Sequence, residues 1–172
     1  IQAKANDALS QYRSYAQQVI SLDKSISNNR LDTMSSIAAI QRQGMTPKEQ
    51  LGSFRDELAR IQAAAQEALS AGKNDYALEL LNRAKGVAGQ MANVNGEGVD
   101  QKAVREEAIA NIEQIGNQAD AIMQQQKADA AAAAAAQLQQ YQQMTEAMNQ
   151  LAGQINALNE QAAIKLKPEI DK

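Results

Sequence analysis

The side chains that most often carry enzyme chemistry are missing from this sequence or stand apart in it. The 172 residues include no cysteine and no histidine, which removes thiolate nucleophiles, the commonest general base and the commonest metal ligands. Serine hydroxyls therefore have no histidine to activate them. Glu106 and Glu107 are adjacent, so on a helix they point in different directions and cannot share a proton. We expect no catalytic site, no metal site and no cofactor, and hence no enzyme.

One short glycine-rich stretch deserves comparison with a phosphate-binding loop. Glu97 stands between Gly96 and Gly98 in the most loop-like part of the sequence. The stretch lacks the lysine and the spacing that a phosphate-binding loop needs. We interpret residues 93–100 as a flexible linker.

Composition favours long helices over a thick globular core. Aromatic residues make up 3% of the chain, and much of the apolar share is alanine, which buries little surface. Nine glycines and two prolines are too few for a β-sandwich, a barrel or a collagen-like chain. The formal net charge of -3 is not that of a dedicated nucleic-acid-binding protein, which would carry a basic stripe. The alanine run at 130–136 is too short to span a membrane. We predict an elongated all-α protein.

The first predicted helix spans residues 1–43. Its apolar residues step by three and four positions, as on one face of a helix: Tyr12, Tyr15, Val19, Leu22 and Ile26. The polar stretch Asn28-Asn29-Arg30 is either solvated, with a shift of register, or a partner contact. Gly44 is expected to take a left-handed conformation after the helix.

Residues 46–92 are predicted to form an antiparallel helical hairpin. Thr46 suits the N-cap position, and Pro47 suits the first turn. A short turn at Gly72 separates the two helices, with Asn74 or Asp75 capping the second. Glu79 and Arg83 have the spacing of a helical ion pair. The expected hairpin core consists of Phe54, Leu58, Ile61, Leu80 and Leu81.

A long Ala/Gln-rich helix is predicted over residues 101–163, with Asp100 as its cap. An early apolar row is formed by Ile109, Ile112, Gly116, Ala119 and Met123. A later row has the strict three-four spacing of a coiled-coil seam: Tyr141, Met144, Met148, Leu151, Ile155, Leu158 and Ala162. The two rows are out of register, which suggests a stutter between them. Methionine, leucine and isoleucine mix in the seam, so its residues do not decide between two and three chains.

The last residues change period. Ile164, Leu166 and Ile170 alternate with charged residues around Pro168, and both features disfavour helix. We predict that the helix ends before Lys167 and that residues 164–172 form an extended tail, which leads into further sequence of a longer parent protein.

Several stretches together resemble bacteriophage tail tape measure proteins. The similarity begins near Ser35 and rests first on Arg42-Gln43-Gly44-Met45-Thr46 and on residues 49–57. It continues in Ala64-Ala65-Gln66-Glu67-Ala68-Leu69, in Gly72-Lys73-Asn74-Asp75-Tyr76 and in Arg83-Ala84. The Ala/Gln-rich helix follows, and then Ile164-Lys-Leu-Lys-Pro-Glu-Ile-Asp171, which resembles the entry to the extended repeats of these proteins.

The resemblance implies a structural role in a virion. Tape measure proteins lie in the lumen of the tail tube, commonly as three copies side by side, and their length sets the length of the tail. They leave the tube when the genome is ejected. The implied partners are further copies of this chain, as a homotrimer, and the tail tube and tail tip proteins. The implied location is the phage tail, after assembly in the host cytoplasm.

A second class of protein fits the same residues. A periplasmic or cell-surface coiled-coil adaptor, acting as a spacer, would have the same helices and the same lack of a chemical site. Neither interpretation implies a small-molecule substrate, sequence-specific binding to nucleic acid or a membrane span. A secretion signal in the full gene would favour the adaptor, and neighbouring tail genes would favour the tape measure protein.

Overall fold

The computed structural model describes the backbone of residues 1–170 and the side-chain surroundings of residues 1–167. This part of the chain contains four α-helices and no strand. In chain order the helices are α1 (Gln2–Arg42), α2 (Pro47–Ser70), α3 (Asn74–Met91) and α4 (Gln101–Ile170). The all-α class predicted from composition and periodicity is therefore confirmed.

Local capping signals explain where α2 begins and ends. The Glu49 N–H donates to Thr46 Oγ1 over 3.3 Å, and Pro47 occupies the first turn, both as predicted. At the other end Gly72 has a φ of +75°, and the Lys73 N–H donates to the Ala68 carbonyl over 2.8 Å. This pattern is a Schellman motif, which satisfies carbonyls that the helix end leaves free.

Two predicted capping details are wrong. Gly44 does not have a positive φ, because α1 ends in tighter bonds: the Gly44 N–H donates to the Gln41 carbonyl over 3.2 Å, which satisfies that carbonyl without a left-handed residue. The N-cap of α3 is Lys73, without a side-chain cap bond. Asn74 and Asp75 already belong to the first turn of α3, because the Schellman motif leaves only a short connection.

The last helix begins as predicted and ends later than predicted. Asp100 Oδ1 accepts a hydrogen bond from the Ala103 N–H at 3.2 Å. The extended tail predicted from residue 164 is wrong as far as Ile170, because α4 continues to that residue. Good helix formers precede Pro168, and a proline near a helix end removes one backbone bond without breaking the turns before it. Residues 171 and 172 lie outside the described residues.

Contacts divide the chain into two units, Ile1–Ile122 and Met123–Lys172. In the first unit α2 and α3 pack closely. Its main core cluster consists of Leu58, Ile61, Ala65, Ala68, Tyr76, Ala77, Leu80, Leu81, Ala84, Val87, Ala88, Ile115, Ala119 and Ile122. A smaller cluster beside it consists of Leu51, Met91, Val94, Val104 and Ala108. Many of these residues are alanines, which lets the helices approach each other closely.

The face that α4 buries in the first unit overlaps the predicted apolar row only in part: Ala119 is buried and Ile112 packs against the main core cluster. Its buried residues are Val104, Ala108, Ile115, Ala119 and Ile122. Of the predicted row, Ile109 and Met123 are exposed. A shift of one residue turns a helix face by about 100°, so a row through Ile109 and Met123 instead of Ala108 and Ile122 lies to one side of the buried face. The buried residues of α4 share the two core clusters with residues of α2 and α3.

Candidate functional site

The predicted coiled-coil seam lies in the unit Met123–Lys172 and is open to solvent. We call its seven residues the C-terminal seam: Tyr141, Met144, Met148, Leu151, Ile155, Leu158 and Ala162. The exposed fractions of its large side chains run from 49% at Ile155 to 68% at Tyr141, and Ala162 is exposed too. An apolar row of this length is far from the scattered apolar residues of an ordinary surface, so it is the leading candidate for an interaction surface.

The residues beside the C-terminal seam carry no charge. In heptad notation the seam occupies positions a and d, and positions e and g flank it. The flanking residues are Thr145, Ala147, Ala152, Gln154, Asn159 and Gln161. The two charged residues of this stretch, Glu146 and Glu160, fall at position f on the opposite side of the helix. Identical copies therefore bring no like charges together when their seams meet.

The residues predicted for the hairpin core separate into two environments. Leu58, Ile61, Leu80 and Leu81 are buried in the main core cluster. Phe54 is half-buried and packs against both clusters. Its ring centre lies 4.0 Å from the Arg42 guanidinium carbon, which is a cation–π distance. The three-four spacing of the apolar residues did not distinguish half-buried Phe54 from the fully buried positions.

A buried ion pair joins the end of α1 to α2. Arg42 Nη1 lies 2.8 Å from Glu57 Oε2, and the two side chains are only 11% and 7% exposed. The same nitrogen donates to Ser53 Oγ over 3.3 Å, and Gln50 Nε2 donates to the Arg42 carbonyl over 3.0 Å. Sequence reasoning missed this pair; an arginine in the last turn of one helix, with an acid in the next, was its only signal.

Earlier in α1, polar side chains contact α3. Arg83 Nη1 lies 2.8 Å from Asp32 Oδ1, and Lys24 pairs with Glu79. The predicted Glu79–Arg83 pairing within α3 is thus replaced by pairings with α1, because partners on the neighbouring helix come within ion-pair distance. In the stretch 28–30, Asn28 contacts α3, because Tyr76 donates its hydroxyl to Asn28 Oδ1 over 3.1 Å, whereas Asn29 and Arg30 are exposed. Burial raises the pKa of Tyr76.

A second arginine–glutamate pair joins α2 to α4 at the surface. Arg55 donates from Nε and Nη2 to the two carboxylate oxygens of Glu107, over 2.8 and 2.7 Å. The hydrogen bonds from Arg55 lower the pKa of Glu107, and the same contact raises the pKa of Arg55. Both side chains are at least one third exposed. Glu107, which was considered above for proton transfer, therefore contacts Arg55 and helps to position α4 against α2.

The residues considered for chemistry do not gather into a site. Within residues 1–170, no group of three or more acidic side chains is arranged to hold a metal ion. Glu97 lies in the linker between α3 and α4 and is exposed. In the same stretch, none of the helices has the length and apolar character that crossing a membrane requires.

Comparison with known proteins finds no relative. No protein-family model matches the chain, and neither the curated proteins nor the solved structures contain a detectably similar one.

Proposed function

We propose that this protein is a structural component of a phage tail, of the tape measure class. Copies of the chain associate through the C-terminal seam, lie in the tail lumen near the tip, set the length of the tail and are released when the genome is ejected. The observation that carries the proposal is the C-terminal seam itself: seven residues in strict three-four spacing, all of them exposed.

The hydrophobic effect supports association through this surface. Burying one leucine, isoleucine or methionine side chain contributes about 1.5–3 kcal/mol relative to leaving it in water. Six of the seven seam residues are large apolar side chains, and each is about half exposed or more. A coiled coil of several copies buries them together, and the uncharged flanks make identical copies acceptable partners. The resemblance to tape measure proteins suggests three copies.

The remaining helices fit the same role. We interpret α2 and α3 as an antiparallel hairpin, since a three-residue turn joins them and they share one core. Its contacts are apolar packing and ion pairs, which serve to hold helices in place. The tail tube and tail tip proteins are the partners that the resemblance suggests.

Sedimentation of the full chain tests the association. The double variant Leu151→Asp with Ile155→Asp places charges in the C-terminal seam, and burying unpaired charge is strongly unfavourable. The variant should sediment as a smaller species than the unchanged protein. The matched control, Gln150→Asp with Asn156→Asp, adds the same charge at positions c and b, away from the seam and its flanks, and should keep the assembly. Equal sedimentation of all three proteins would overturn the association.

A change of helix length tests the tape measure role separately. Duplicating residues 141–161 in the phage gene preserves the heptad phase and adds about 32 Å of helix at about 1.5 Å per residue. Electron microscopy should then show longer tails. An insertion of the same length, rich in glycine and serine, at residues 93–100 is the control and should not lengthen them, because such a chain is a flexible coil. Unchanged tails in the first variant would favour the spacer protein of the cell envelope instead.

A further inference from the structure

The first unit, Ile1–Ile122, also leaves an apolar row uncovered. On α1 the side chains of five residues are between 49% and 71% exposed. We call this row the outer stripe: Tyr12, Tyr15, Val19, Leu22 and Ile26. Its spacing of three and four residues matches positions a and d of a coiled coil.

Leu22 and Ile26, the last two residues of the outer stripe, point away from the helices that α1 contacts, whereas residues 1–15 of α1 are exposed on every side. The contacting side of α1 has its own three-four spacing, and we call it the inner face: Lys24, Asn28, Leu31, Ser35, Ala38 and Arg42. Successive helical residues are turned by about 100°, so Leu22 and Lys24 lie about 200° apart, as do Ile26 and Asn28. The inner face is largely polar, and the apolar row is on the other side.

This arrangement is the reverse of an ordinary surface helix. Such a helix turns its apolar side to the core and its charged side to water. In α1, ion pairs and hydrogen bonds hold the inner face against α3 and α2, for example Asp32 with Arg83 and Arg42 with Glu57. The apolar residues of the outer stripe contribute nothing to that contact. Their concentration on the free side is explained by a partner that packs there.

We propose that the outer stripe is a second self-association surface, at which α1 of one copy packs parallel and in register against α1 of another copy. The proposal does not depend on the C-terminal seam, which lies in the other unit. Nor does it depend on the phage role, since it concerns only contacts between copies of this chain.

The residue types favour two strands over a larger number. Val19 and Ile26 are β-branched residues at position a, and Leu22 is a leucine at position d. Among parallel coiled coils, this combination favours two strands over three or four. In a parallel pair, position g of one copy lies beside position e of the other. The residues at these flanks are Gln11, Gln18 and Ser25 at g, and Ala16 and Asp23 at e.

Charge also favours a second copy over a different protein. Asp23 is the only charged residue at these flanks, and in a parallel pair it meets the uncharged Gln18. Like charges therefore do not meet when two copies pair. Lys24, at position f, is already engaged with Glu79. The residues at positions e and g therefore carry no charge pattern that would select a charged partner. The apolar row can pack against an identical row on a second copy.

Cysteine cross-linking of the full chain tests the proposal directly. The sequence has no cysteine, so a single introduced thiol gives an unambiguous product. Leu22→Cys places the thiol at position d, where parallel copies in register bring it next to its counterpart. Gln17→Cys, at the exposed position f, is the matched control. Both changes are made in the Leu151→Asp, Ile155→Asp background, so that the C-terminal seam does not contribute.

Under mild oxidation we expect the disulfide-linked dimer of Leu22→Cys to form at least about tenfold faster than that of Gln17→Cys, because association raises the effective thiol concentration. Leu22 is exposed, so the substitution should leave the helical circular dichroism unchanged. Equal rates for the two variants would overturn the proposal. Faster cross-linking in a mixture of Val19→Cys and Leu22→Cys chains than in Leu22→Cys alone would show antiparallel packing and would overturn the parallel arrangement.

Discussion

Two stretches of α4 carry isoleucine at the same kind of helical position and place it in opposite surroundings. Ile115 is fully buried against the core of the first unit, whereas Ile155 in the second unit is half exposed. From residue 123 to residue 167 every side chain except Gln126 is exposed. The difference shows that three-four spacing identifies an apolar face, and that the neighbouring elements decide whether the same chain covers it.

The same lesson applies to charge. Arg42 and Glu57 form a pair that is nearly removed from water, and Arg55 and Glu107 form one that is largely solvated. The geometry of the exposed pair is the better of the two, since it uses two hydrogen bonds. We nevertheless expect the buried pair to matter more, because losing one partner there leaves a charge without water.

The largest expected effect comes from the isoleucine comparison. Ile115→Ala should lower the free energy of unfolding of the first unit by about 4 kcal/mol, because it removes apolar surface and leaves a cavity. Ile155→Ala in the same helix should change that free energy by less than about 0.5 kcal/mol, as surface substitutions do. Urea denaturation of both variants measures the difference. Equal losses would show that the second isoleucine is covered as fully as the first, either by its own chain or by another copy.

The buried ion pair should give the next largest effect. Arg42→Met leaves the Glu57 carboxylate buried without its partner, and we expect a loss of about 3 kcal/mol in unfolding free energy. Adding Glu57→Leu should recover most of that loss, because the uncompensated charge is then gone. Arg60→Met, at an exposed position of α2, is the control and should have little effect. A double variant no more stable than Arg42→Met would contradict the interpretation.

Phe54 extends the comparison of buried and exposed residues to a side chain of intermediate burial. It is half-buried and stacks with Arg42, so Phe54→Ala should cost about 2 kcal/mol, less than a fully buried phenylalanine. Leu80→Ala, in the middle of the core, should cost more. Amide exchange of α2 and α3 in the two variants separates these outcomes; a greater loss for Phe54→Ala would mean that the packing of α2 and α3 depends on the stack with Arg42.

The smallest effect concerns the exposed pair and depends on pH. Because the pKa of Glu107 is lowered in the folded protein, its contact with Arg55 stabilises the fold above the ordinary glutamate pKa of 4.5 and is lost as the pH falls through the lowered value. Glu107→Gln should therefore cost less than about 1 kcal/mol at neutral pH, after allowance for solvent screening. The difference from the unchanged protein should disappear in acid. A constant difference from pH 7 to pH 3 would contradict the assignment.

Sequence patterns predicted the local features of the fold better than the contacts between helices. Thr46, Pro47 and Asp100 act as expected, because a helix cap depends on residues within one turn of it. The prediction failed at Ile109 and Met123, whose size suggested a buried row. It also failed for Glu79 and Arg83, which each bind a residue of α1 more than 45 positions away. Such partners have no signature in local spacing.

By itself, then, the sequence determined the helical class, the main breaks between helices, and the rows of apolar residues at 12–26 and 141–162. These features follow from backbone propensity and from a period of about 3.6 residues, which act over a few neighbouring positions. Only the tertiary structure decided that α1 packs through its polar inner face and that α4 buries Ile115 and leaves Ile109 in water. Those choices depend on the shape and charge of distant helices, where small residues permit close approach and a buried arginine needs its carboxylate.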